Sequence, residues 1–226
     1  MKTLGIIGGM GPQATLDLYE KIVRHTPAHC DQEHLHVIID SYPQIPDRTA
    51  CICGQGEDPL PFLEASAQRL QQAGAEALLM PCNTAHYFVP ELRRRISLPF
   101  LHIAEATLAS MDPARHGKRI GVLETRGTRA AGIYRHALEA AGYQAVEPDE
   151  VQAAQLMRCI YEGAKAGKTA EYAPLLNDTV SAMAADSFIL ACTEIPLFLP
   201  YWKDPRPVVD ATDALARAAV AFALAP

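Results

Sequence analysis

A chain of 226 residues, 49% hydrophobic and only 20% charged, can bury a real core as one large domain or two small ones sharing a cleft, which excludes disorder as its main state. Twenty Lys plus Arg against 26 Asp plus Glu leave a net charge of −6, so the balance points to neither a nucleic-acid nor a membrane-surface partner. Six cysteines, at 30, 51, 53, 82, 159 and 192, are too sparse for a disulfide framework, and with no export signal after Met1 they predict a cytoplasmic protein with reduced thiols.

Along the chain, short apolar runs alternate with helical periodicities. Residues 3–8 (TLGIIG) read as a strand ended by Gly8-Gly9, and 12–24 as a helix. Residues 36–40 (HVIID) form the next strand, followed by a loop holding Pro43, Pro46, Asp47 and Arg48. Leu60, Leu63, Ala67 and Leu70 share one stripe, predicting a helix over 59–73 that Gly74 stops. A strand over 77–80 (ALLM) then leads through Pro81-Cys82-Asn83-Thr84 into a helix towards the basic cluster Arg93-Arg94-Arg95, a solvated helix end. The pattern restarts with a strand over 119–123 (RIGVL), followed by helices over 128–141, 148–165 and 170–184. A strand over 188–191 (FILA) ends at Cys192-Thr193-Glu194, and Val208-Val209 precedes a helix to the C-terminus. Apolar runs this short suit buried parallel strands, so the fold class is α/β. The apolar stretch 187–201 is broken by Glu194 and two prolines and cannot span a membrane as a helix.

The halves echo each other. Gly5-Ile6-Ile7 matches Gly121-Val122-Leu123 at an offset of 116, and Cys82 matches Cys192 at 110. Nearly equal offsets point to a duplicated open α/β unit, although two unrelated α/β halves would share such short runs too. The expected organisation is a first domain from 1–101 plus 210–226 and a second from 102–209, with the active site in the cleft between them.

Ligands of open parallel sheets collect beyond the carboxyl ends of the strands. Four segments fall there: Gly8-Gly9-Met10-Gly11, Cys82-Asn83-Thr84, Thr125-Arg126-Gly127-Thr128 and Cys192-Thr193-Glu194. Each precedes a helix N-terminus, where free N–H groups favour an anion, so a carboxylate is a natural ligand. The glycine turn is not a GxGxxG, and no GKS or GKT phosphate signature exists. One strand-end cysteine is as easily a small buried hydrophobe as a nucleophile. Two at equivalent places suggest thiols facing each other across a cleft. Such a pair can remove a proton from one face of a carbon and deliver one to the other, without a cofactor.

The motifs GIIGGMGPQAT at 5–15, PDRT at 46–49, PCNTAH at 81–86, ETRGT at 124–128, KAGK at 165–168 and ACTEIPL at 191–197 run in order along almost the whole chain. In these the sequence resembles the aspartate/glutamate racemase family, in its cofactor-independent aspartate racemase-like branch. The resemblance implies a pseudo-symmetric pair of α/β domains and Cys82 and Cys192 as the two acid/base residues. It implies that Arg48 grips the distal carboxylate of an acidic amino acid, with Lys165 near the same group and Tyr161 one helical turn before it. Asn83, Thr84 and Thr193 match positions that hold the α-carboxylate, while Met10 and Thr125 match cleft-lining positions. Glu194 caps the following helix or tunes Cys192. A small acidic amino acid is the expected partner, in a homodimer needing no cofactor and no metal. Glu124 departs from the pattern, since relatives more often carry a small residue there; pointing into the site, it would repel a second carboxylate.

Other readings stay open from the residues. His29, Cys30, His34, His36, Cys51 and Cys53 resemble a metal cluster in composition, but Cys51-x-Cys53 is not a zinc spacing. Lys165 could hold pyridoxal phosphate, yet no phosphate cradle accompanies it. The alternatives are another proton-transfer enzyme of the superfamily (hydantoin racemase, maleate isomerase or decarboxylase), a thiol hydrolase pairing Cys82 with His86, or a non-catalytic carboxylate-binding protein.

Overall fold

A computed structural model describes residues 1–226. The first half runs β1 (Leu4–Gly8), α1 (Pro12–His25), β2 (Val37–Ser41), α2 (Arg48–Ile52), α3 (Leu60–Gln72), β3 (Ala77–Leu79), α4 (Val89–Arg95) and β4 (Phe100–Leu101). Helices α5 (Ile103–Ala109) and α6 (Pro113–His116) lead into β5 (Arg119–Val122), α7 (Arg126–Ala131), α8 (Ile133–Ala140) and β6 (Gln144–Val146). Then follow α9 (Glu150–Arg158), α10 (Thr169–Ser181), β7 (Ser187–Leu190), β8 (Val208–Asp210) and α11 (Ala211–Leu224). The strands make two parallel four-stranded sheets of the same order, β2-β1-β3-β4 and β6-β5-β7-β8. Strand β1 corresponds to β5 and β3 to β7, as the sequence echo predicts.

Strand alternation decides what each sheet faces. Leu4, Ile6, Ala77 and Leu79 of the first sheet meet Ile120, Val122, Ile189 and Ala191 of the second in one shared core, closed by α1, α5, α8 and α11. The intervening residues face outward into separate clusters. Ile7, Leu78 and Met80 pack with Leu63, Leu70 and Phe88, while Leu123, Phe188 and Leu190 pack with Leu156, Ile160 and Phe198. Each fully buried Leu, Ile or Phe contributes about 1.5–3 kcal/mol. The shared core, built from both halves, therefore fixes the angle of the cleft. Helix α11 lies along α1 and α5; Lys2 donates its backbone N–H to Ala223 at 2.9 Å, and buried Lys21 pairs with Asp210 at 2.7 Å.

Several elements differ from the periodicity. The region of Arg48, expected as loop, is the short helix α2, because Asp47 accepts from the Ala50 N–H as its N-cap. The helix expected after Thr84 is a 3₁₀ turn over Thr84–Phe88 and only then α4, with Pro90 in its first turn. The helix over 128–141 is split into α7 and α8 at Gly132, and that over 148–165 ends as the π turn Cys159–Ala164. Strands β4 and β6 and helices α5 and α6 were not legible: two- and three-residue strands and one- to two-turn helices are too short to show a period.

Two glycines set the close approaches. Gly9 has φ +89°, and a Cβ there would lie 2.4 Å from the Tyr42 carbonyl carbon, so only glycine fits the turn after β1. Gly127 stands where α7 meets α2, and a Cβ would come within 2.7 Å of Thr49 Oγ1 and 2.9 Å of Thr84 Cγ2. Gly127→Ala is therefore expected to part the halves at the cleft, costing about 1–3 kcal/mol and lowering Tm by roughly 2–12 °C. A calorimetric melt indistinguishable from wild type would show that α2 and α7 do not pack this tightly.

Candidate active site

Chain reversal at the carboxyl ends of β1, β3, β5 and β7 delivers the four segments to one narrow cleft. Met10, Arg48, Cys82, Asn83 and Thr84 line it from the first half, and Thr125, Tyr161, Lys165, Cys192, Thr193 and Glu194 from the second. Every site residue expected from the sequence thus borders a single space, with the two cysteines contributed by opposite halves. An outer hollow adjoins the cleft, and Met10, Asp47, Arg48, Lys165 and Glu194 line both.

Hydrogen bonds between the halves hold the cleft together. Thr193 Oγ1 donates to the Pro81 carbonyl at 3.0 Å, and the Gly11 N–H donates to Glu194 Oε1 at 3.1 Å. Tyr161 OH donates to Asp47 Oδ2 at 2.7 Å across the mouth. The Thr84 hydroxyl lies 2.9 Å from those of both Thr125 and Thr128, which are 3.1 Å apart. A closed ring of three hydroxyls engages one donor from each, so the Thr84 side chain knits the halves together. Asn83 is different. Its Oδ1 accepts from Tyr134 OH at 2.5 Å, and its Nδ2, buried at the cleft wall, has no partner in the protein.

The two thiols sit in unlike fields. Cys192 Sγ donates to Glu194 Oε2 at 3.0 Å. Its burial, joined by the Glu194 carboxylate, pushes the thiol well above the ordinary range, so it carries its proton at neutral pH. Cys82 instead has a guanidinium beside it. Burial would lower the pKa of Arg48, but the Cys82 sulfur and the Asp47 carboxylate outweigh it and raise the value. Arg48 is anchored through Nη1 to the Ile45 carbonyl at 3.1 Å and the Pro46 carbonyl at 3.0 Å, leaving Nε unpartnered. Burial would raise Asp47, yet the Ala50 N–H, Tyr161 hydroxyl, Arg48 and Lys165 hold its carboxylate below the usual value. Lys165 stands at the mouth with Nζ 4.7 Å from the Tyr161 ring centre and no ion-pair partner.

His86 does not complete a thiol–imidazole dyad. Its Nδ1–H donates to the Cys82 carbonyl at 2.9 Å, and its Nε2 accepts the Ile103 N–H at 3.1 Å, so both ring nitrogens are bound to backbone. Burial, with His102 packed edge-on at 4.6 Å, lowers its pKa from 6.5 to about 3. The folded state refuses a proton that the unfolded chain accepts, so this contribution to stability is complete above pH 6.5 and shrinks on acidification until about pH 3. The slope is about 1.4 kcal/mol per pH unit. Unfolding free energies from urea titrations should therefore fall more between pH 7 and 5 in wild type than in His86→Asn, by about 2 kcal/mol. Parallel declines would show that His86 is not the group responsible.

Glu124 is turned away from the cleft. It is 4% exposed among Glu147, Arg129 and Arg135, and burial raises its carboxyl well above the ordinary range. Repulsion of a second substrate carboxylate therefore does not arise from it. Asp47 and Thr49 on the cleft wall, and Tyr134 behind it, were not among the site residues expected. Asp47 stands in PDRT as the N-cap of α2, a residue type that caps helices, whereas the reach of Tyr134 to Asn83 leaves no local signal. The six histidines and cysteines at 29–36 and 51–53 do not converge as a metal site, and no helix is long and apolar enough to cross a membrane.

Comparison with known proteins agrees with this architecture. The Asp/Glu/Hydantoin racemase family model matches residues 7–219. The chain is 29% identical over 231 residues to the broad specificity amino-acid racemase RacX of Bacillus subtilis (strain 168), with 98% of each chain covered. Its structure superposes on Picrophilus torridus aspartate racemase with a TM-score of 0.88 at 30% identity, covering 99% of this chain and 94% of that one. An aspartate racemase homologue from Pyrococcus horikoshii OT3 matches with a TM-score of 0.73 at 25% identity, over 99% of each chain. With a family model spanning most of its length and relatives matched from end to end, this chain belongs to the Asp/Glu/hydantoin racemase family.

Proposed function

We propose that the protein inverts the α-carbon of an acidic amino acid, aspartate first and glutamate second, by proton transfer between two thiols without a cofactor. The observation that carries this reading is that Cys82 and Cys192, contributed by different halves, line one cleft, the first beside the Arg48 guanidinium and the second beside the Glu194 carboxylate. Cys82, with the Arg48 guanidinium beside it, is suited to remove the α-proton. Cys192, its S–H directed to Glu194, is suited to deliver a proton to the opposite face. The roles exchange for the other enantiomer. Unpartnered donors on Asn83 and Arg48 favour a bound carboxylate and the enediolate charge that develops on it. Lys165, without an ion-pair partner at the mouth, is the cation available to a distal carboxylate. The engagement of both His86 nitrogens by backbone weighs against a thiol hydrolase.

The test is racemisation in deuterium oxide, starting from L-aspartate, with the enantiomers separated by chiral chromatography and weighed by mass spectrometry at low conversion. A donor thiol equilibrated with solvent labels the product, so early D-aspartate should carry α-deuterium while recovered L-aspartate carries far less. Substantial unlabelled D-aspartate would mean a single base serving both faces. No D-enantiomer from aspartate or glutamate would remove the proposed activity.

A further inference from the structure

We propose that Tyr134 is a positioning residue for this reaction, its hydroxyl holding the Asn83 amide so that Nδ2 faces the cleft as a donor to the substrate's α-carboxylate. This rests on the racemase reading above. Its foundation is the hydrogen-bond chemistry of one buried pair. Tyr134 is fully buried in the core shared by the halves, and its hydroxyl oxygen lies 2.5 Å from Asn83 Oδ1. Of the two ends of an amide, only the oxygen accepts a hydrogen bond, so a donating phenol decides which way the amide points. Burial pushes the Tyr134 phenol above its ordinary value, which keeps it a donor throughout the working pH range. The other oxygen nearby, Thr107 Oγ1, is 3.5 Å away and gives its own hydrogen to the Ile103 carbonyl at 2.7 Å.

The consequence appears at the other end of the amide. Asn83 is 2% exposed, borders the cleft, and presents an Nδ2 that nothing in the protein accepts from. A buried donor without an acceptor is costly, and a carboxylate entering the cleft supplies the acceptor. The local fold explains how a residue so distant in sequence reaches this point. The break between α7 and α8 at Gly132 sends the Tyr134 ring into the shared core, so its hydroxyl emerges beneath the loop that follows β3. One half thus carries the donor, and the other half aims it.

A double-mutant cycle on kcat/KM for aspartate separates positioning from mere support. Tyr134→Phe, which removes a single oxygen, is expected to lower kcat/KM about tenfold or more. In an Asn83→Ala background the same change should add less than twofold, because no amide remains to orient. Equal losses in both backgrounds would overturn the proposal, since a purely structural tyrosine acts independently of Asn83. Should Tyr134→Phe fail to fold, the wild-type protein carries the test through nitrogen-15 NMR. The Asn83 Nδ2 resonances, identified by their loss in Asn83→Ala, should shift on saturation with aspartate; unmoved resonances would overturn the proposal. Wild-type racemisation is measured alongside. Its absence defeats the racemase reading, whereas its presence with an uncoupled Tyr134 defeats only this inference.

Discussion

Replacing either Cys82 or Cys192 by alanine is expected to lower racemisation of aspartate by roughly 10²–10⁴-fold, the range general acid or base catalysis supplies. Both cysteines are buried, at 6% and 5% exposure, on walls whose backbones are fixed by independent contacts between the halves. Removing one sulfur leaves a small void and a folded protein, so the loss should appear in turnover and not in the circular dichroism spectrum. The variants should also differ from each other. With Cys192→Ala, Cys82 can still take the α-proton from one enantiomer and return it, so that enantiomer exchanges slowly with deuterium oxide while product fails to accumulate. With Cys82→Ala, the surviving thiol sits beside Glu194, which favours its protonated form, so exchange should be weaker still. Near-normal racemisation by Cys192→Ala would defeat the two-thiol mechanism.

Lys165→Met should cost acidic substrates tenfold to over a hundredfold in kcat/KM while leaving alanine nearly untouched. A hydrogen bond to a charged group is worth about 1.5–3 kcal/mol, and Lys165, which acts on the Asp47 carboxylate only through space, makes no ion pair of its own in the protein. Arg48→Met should behave differently. The family resemblance implies that Arg48 grips the distal carboxylate, but its guanidinium is anchored on the Ile45 and Pro46 carbonyls and lies beside the Cys82 sulfur. Its loss is therefore expected to slow aspartate and alanine alike. Comparing both variants on both amino acids separates the roles. Equal losses for Lys165→Met would show that it does not read the side chain, and a selective loss for Arg48→Met would return that task to the arginine.

What the sequence determined by itself was everything carried by local pattern. The apolar runs at 3–8, 77–80, 119–123 and 188–191 specify buried parallel strands, because a strand covered on both faces has little place for polar residues. The repeat of those runs specifies two sheets of one topology, and the segments after them identify the cleft, since backbone groups at strand ends are where a parallel sheet exposes unsatisfied donors. What the tertiary structure decided was everything that depends on the angle between the halves. No spacing in the chain tells that His86 gives both nitrogens to backbone, that Glu124 turns away from the cleft, or that Tyr134 reaches Asn83. Those are contacts between elements up to 51 residues apart, fixed by how side chains from both sheets fill one shared core. The direction in which a buried polar group points follows from that packing, and packing has no period to read.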